Sequence, residues 1–167
     1  LFAHHLSRTV TGGPLSRYRH ALIAEENGAR LVAVERRGYR GFVPAGHAAN
    51  ALAAQLEAHE LWRNRRRDFD DDAEGWRHAH EALDQVIDLA GRDLACHLVF
   101  ACEREFWQSR NRAARVQKTR QDRLRLGWAN HDHHTFRSSR RHFVDLMRAL
   151  EKLGFEVVKG TDLRHID

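Results

Sequence analysis

Between residues 72 and 90 the apolar side chains Trp76, Ala79, Leu83, Val86, Ile87 and Ala90 recur at the period of an α-helix. A strand cannot gather that set on one face, because alternate strand residues point to opposite sides. Asp70, Asp71 and Asp72 precede the segment, where the positive end of the helix dipole favours acids. Gly91 follows it, where helices commonly end. A helix with one apolar stripe has to bury that stripe, so the flanking segments must supply the rest of a core.

They do so mostly as further helices. Residues 47 to 66 read as a helix with Ala49, Leu52, Ala53 and Leu56 on one face. Residues 92 to 125 read as one long helix whose first half carries Leu94, Leu98, Val99, Cys102 and Phe106. Beyond Trp107 the stripe thins to Ala113, Val116 and Leu124, so this half lies on the surface or projects from it. A last helix, which Ser138 and Ser139 can cap, carries Phe143, Leu146, Met147, Leu150 and Leu153, and Gly154 ends it.

Strands are expected at both ends. Asn27-Gly28 separates two apolar-rich runs, residues 21 to 26 and 29 to 35. Asn-Gly suits a type I′ turn, which needs positive φ at both central positions, so a hairpin is preferred there. A short helix is the alternative for the first run, since Ala and Glu favour helices. His131 to Arg137 read as a strand, and Phe155-Glu156-Val157-Val158 as the start of another. The fold class is therefore α+β: an N-terminal hairpin, a helical middle region with one long basic helix, and a C-terminal β-α-β unit. The division falls near residue 127, with residues 1–127 mostly helical and 128–167 forming the β-α-β unit.

A chain of 167 residues suits one domain, or one domain with an appendage. No apolar run approaches the roughly 18 residues of a membrane span. The start, Leu1-Phe2-Ala3-His4-His5, lacks the basic and apolar regions of a signal peptide, and it begins without Met, as a piece of a longer protein does. Cys96 and Cys102 would sit about 240° apart around a helix axis and cannot pair there. Reduced thiols in a cytoplasmic protein, with no membrane partner, are the expectation.

Net charge is +5, and the isoelectric point is near 9.9. The charge is concentrated. From residue 104 to 125 there are eight cations against Glu105 and Asp122, a net +6. Arg110, Arg112, Arg115, Lys118 and Arg120 are spread over most of the circumference of the expected helix. They could contact phosphates along a nucleic-acid backbone, displacing counterions. The plain reading is a solvated helix paired with an acidic surface such as residues 68 to 72. The second basic run, Arg63-Asn64-Arg65-Arg66-Arg67, adjoins those same acids and reads as a solvated loop whose charges neutralise each other.

The chain has 13 histidines. The densest group is His131-Asp132-His133-His134. On a strand His131 and His133 would share a face, and two such imidazoles can ligate one metal with a further ligand from elsewhere. His142 and His165 are the candidates for that third position. The plain reading is surface or hydrogen-bonded histidines. His78 and His80 would point about 200° apart on their helix and do not converge. His97 reads as a satisfied core histidine.

Asp132-His133-His134-Thr135-Phe136-Arg137, a Ser-started amphipathic helix, and Leu150-Glu151-Lys152-Leu153-Gly154-Phe155 together resemble the first strand and helix of a vicinal-oxygen-chelate module, the glyoxalase and extradiol dioxygenase type. The resemblance covers residues 131 to 158. It implies a βαβββ unit and a divalent metal (Fe, Mn or Zn) held by His133, with His131 as second ligand or, like His134, as a general base. Such a metal polarises vicinal oxygens of a small-molecule substrate. His134 stands where that family has an apolar residue, and too few residues follow for the strands that supply its acidic ligand. A homo-oligomer or a missing partner module would have to complete it.

Three functions are thus expected of the sequence: a divalent-metal-dependent enzyme acting on a small oxygenated substrate, a nucleic-acid-binding module using residues 104 to 125, and a helical protein-interaction domain without catalysis.

Overall fold

The computed structural model describes residues 8–43, 50–124 and 138–156. Two strands, β1 (Tyr18–Glu26) and β2 (Ala29–Arg36), form an antiparallel hairpin. Asn27 at φ 50° and Gly28 at φ 79° make the turn between them. Both central positions are left-handed, as the Asn-Gly pair demanded. The register shifts between Leu22 and Ala24, leaving Ile23 as a bulge. No strand residue is buried.

Helices follow: α1 (Ala51–Arg63), α2 (Asp72–Ala90), α3 (Arg92–Arg110), α4 (Arg112–Leu124), a 3₁₀ turn (Arg140–His142) and α5 (Phe143–Lys152). The core lies between the first three. Ala58 and Trp62 of α1 meet Ala82, Leu83 and Val86 of α2 and Leu94, Ala95, Leu98, Val99 and Cys102 of α3. Leu153, just past α5, joins the same cluster. Lys152 pairs with Asp84 at 2.6 Å and ties α5 to α2.

The ends of α2 follow from two residues. Asp71 is extended, and its carboxylate accepts the Ala73 N–H at 3.1 Å. That satisfies one of the orphan donors of the first turn. Gly91 has φ 73° and ψ 155°, a conformation open in practice only to glycine. It ends α2 and begins α3, so this one residue turns the chain between the two central helices. Gly38, at φ 54°, does a different job: a Cβ there would meet the backbone of Asp93 and Leu94. The chain leaving β2 can lie against the start of α3 only because that atom is missing.

Four expectations need correction. The long helix of residues 92 to 125 is two helices, because Asn111 adopts φ −115° and ψ 115° between them. Its side-chain oxygen accepts the Ala114 N–H at 3.2 Å, so it caps α4 instead of continuing α3. The buried side of α1 is not the Leu52 and Leu56 stripe, whose members are 44% and 45% exposed, but the Ala58 and Trp62 one. Ser139 begins the C-terminal helical segment by position alone, without a side-chain cap.

The fourth correction concerns the fold class. Among the described residues the expected C-terminal β-α-β unit is absent, and the C-terminal part is helical. Phe155 does not start a strand. It closes α5, its N–H donating to the Leu150 carbonyl at 3.1 Å while Gly154 N–H donates to Glu151 at 2.9 Å. Gly154 has φ 94°. This is the paired-bond glycine ending of a helix. The Phe155 ring then rests near Phe100, with centroids 5.7 Å apart. The expected first strand, residues 131 to 137, lies outside the described residues.

Candidate functional site

α4 and the end of α3 form a strongly basic surface. At about 100° per residue, Arg112, Arg115, Arg120 and Arg123 fall within an arc of about 140° of α4. All four are exposed. Ala114, Lys118 and Gln121 lie on the opposite side, and these are the half-buried residues of the helix. No residue described in α4 is fully buried, so the helix stands off the core as its thin apolar stripe required. Its one acid, Asp122, is taken by Lys118 at 2.6 Å.

The expected site residues therefore separate. Arg112, Arg115 and Arg120 share the arc with Arg123. Lys118 is on the other side. Arg110 belongs to α3, with its guanidinium 4.0 Å from the centroid of the Phe106 ring. Arg115 bridges the junction by donating to the Ser109 carbonyl at 2.9 Å. A cation at the C-terminal end of α3 is favoured by the helix dipole.

The second basic run is not a solvated loop neutralised by its neighbouring acids. Arg65 and Arg67 turn inward, and each reaches the same Glu103 oxygen at 2.8 Å. Trp62 donates its indole N–H to that oxygen at 3.0 Å. Arg65 also lies over the Trp62 ring at 3.9 Å, and Arg67 over Phe106 at 4.1 Å. Phe106 thus carries two guanidiniums, one from each basic run, which locks the α1–α2 connection to the end of α3.

Glu103 holds this node together. Burial pushes its carboxyl up, but the hydrogen bonds and charges of Arg65 and Arg67 outweigh burial and hold it below the usual carboxylate value. Burial lowers the Arg65 guanidinium, opposed by Glu103. The sequence reading missed Glu103. The signal was present: it is an acid within the apolar stripe of α3, between Val99 and Phe106, and an acid so placed needs a cation.

Trp107 completes the surface. It is 63% exposed, and its ring stands perpendicular to Phe106 with centroids 5.2 Å apart. Arg104 and Arg110, three residues to either side, share its helix face.

His131, His133 and His134 lie outside the described residues, as does His165. Among the described residues no three His, Cys, Asp or Glu side chains converge as metal ligands. His142 is buried, with Nδ1 3.1 Å from Asp145. His78 lies against Phe69 and His80 against Trp76. Burial, then the Lys152 charge, pulls His80 below the ordinary imidazole value, opposed by Asp145 and Asp84. Cys96 and Cys102 are free, as expected. No described helix is long and apolar enough to cross a membrane.

No protein-family model, no curated protein and no solved structure matches the chain.

Proposed function

We propose that the protein binds nucleic acid through α4 and the adjoining end of α3, with Arg112, Arg115, Arg120 and Arg123 on backbone phosphates. The observation that carries this reading is the four-arginine face of α4. Four guanidiniums on one exposed side of a helix that stands off the core repel each other unless an anion lies across them. The helix offers no acid of its own to do so, since Asp122 is already paired. Arg112 to Arg123 spans roughly 16 Å at the rise of an α-helix, enough to follow several phosphates of one strand.

The test is the salt dependence of binding to a labelled oligonucleotide. Each phosphate neutralised contributes about −0.7 to −0.9 to the slope of log affinity against log salt. Replacing Arg112, Arg115, Arg120 and Arg123 together with Gln is expected to flatten the slope by roughly three. No binding at low salt, or an identical slope in the variant, would overturn the reading.

A further inference from the structure

We infer that Trp107 is a stacking platform for one unpaired base, so that the surface selects single-stranded nucleic acid over duplex. This rests on the nucleic-acid reading above and adds to it a different interaction with a different readout.

The phosphate face of α4 reads backbone charge and not base pairing, so it supplies no preference for a single strand over a duplex. Trp107 adds an uncharged, planar surface. It is the largest side chain among the exposed apolar residues of the basic region, at 63% exposure, while Trp62 of the same node is buried at 6%. An indole this exposed leaves a large apolar area in water, which is a cost unless a partner removes it.

Its setting favours a base over an apolar protein partner. Arg104 and Arg110 lie one helical turn to either side of Trp107. Neither has an acidic partner among the described residues, and Arg110 is instead held over Phe106 at 4.0 Å. Arg115 donates to the Ser109 carbonyl at 2.9 Å, which ties one guanidinium of the α4 arc to the end of the helix that carries Trp107. An apolar helix docking here would have to bury those cations unpaired. A nucleotide meets both needs, with its base on the indole and its phosphates beside the guanidiniums. The indole is also pre-positioned. Phe106, against which it stands, is fixed by Arg67 and Arg110, and Arg67 is fixed by Glu103 at 2.8 Å. In a duplex every base face is already stacked on its neighbours, so only an unpaired base can use this surface.

The experiment compares wild type, Trp107→Ala and Trp107→Phe on three probes: a single-stranded RNA of about 15 nucleotides, a single-stranded DNA of the same length, and the corresponding duplex. Trp107→Ala is expected to weaken single-strand binding by about 5- to 150-fold, the range for loss of one base–aromatic stack. Trp107→Phe should recover most of that loss. Duplex binding and the salt slope should be unchanged in both variants. Wild-type fluorescence should be quenched by either single strand more than the Trp107→Phe protein is. The RNA and DNA arms report whether the sugar matters; quenching by either supports the platform. Equal single-strand affinity in wild type and Trp107→Ala, or equal losses on duplex and single strand, would overturn the inference while leaving salt-dependent binding intact. Absence of salt-dependent binding to all three probes would overturn both readings.

Discussion

The Trp62 indole N–H donates to Glu103 Oε1 at 3.0 Å, joining the buried end of α1 to α3. Two guanidiniums share that acceptor oxygen. Removing the carboxylate leaves Arg65 and Arg67, with side chains 12% and 17% exposed, facing each other without a counter-charge. Glu103→Gln is expected to cost about 2–3 kcal/mol, at the lower side of what breaking a buried pair costs because the node is partly solvated. Chemical denaturation of the two proteins measures it, and a difference within about 0.5 kcal/mol, as for an ordinary surface substitution, would refute it.

The same pair sets an acid dependence. The carboxyl of Glu103 is lowered in the folded chain from a usual value of 4.5. A lowered carboxyl stabilises the fold above its unfolded value and loses that contribution as pH falls through the folded one. The stability gap between wild type and Glu103→Gln should therefore be flat above pH 4.5 and close progressively below it. Melting temperatures of both proteins across that range supply the check; a gap that stays constant in acid would contradict the assignment.

Cys102 is buried at 3% exposure. Burial pushes its thiol up to about 11, and the charges of Glu103 and Glu105 add to this. Since the thiolate is the nucleophile, Cys102 should resist a thiol reagent at pH 8 in the folded protein and react on unfolding. Cys96 is also raised, by burial and Asp93, but is only half-buried and should react first. Mass spectrometry of the labelled protein distinguishes the two sites, and early labelling of Cys102 would count against the buried placement.

Gly91 meets no atom within 4 Å of where a Cβ would stand, yet its φ is 73° and its ψ 155°. A substitution there is strained by the backbone alone. Gly91→Ala is expected to cost about 1–3 kcal/mol without any change in packing. Equal stability of the two proteins in a thermal melt would show that the turn between α2 and α3 relaxes at no cost.

The features legible in the sequence were those set by neighbouring residues. Asp71, Asn27-Gly28, Gly91 and Gly154 each act within a few positions of where they stand, and each does what its chemistry dictates. The features that were not legible depend on distant partners. α1 has two stripes, and only the contact with α2 and α3 selects Ala58 and Trp62 over Leu52 and Leu56. Arg65 and Arg67 adjoin the acids of residues 68 to 72 but pair with Glu103, some 36 positions away from Arg67. Phe155 has strand propensity, yet the glycine ending of α5 and the nearby Phe100 ring claim it. Of the candidate site, the basic residues were legible as charge. Their division between two helices was not, because Asn is tolerated within a helix as well as before one.

Asn111 governs more than helix length. Were α3 and α4 one unbroken helix, Trp107 would point about 150° away from the centre of the arginine arc, and one ligand could not touch both. The extended backbone of Asn111 uncouples the rotational phase of the two helices, so the azimuth of the arc is set afresh at that residue. One asparagine thus stands between a charged face and an aromatic one that a straight helix would have turned back to back.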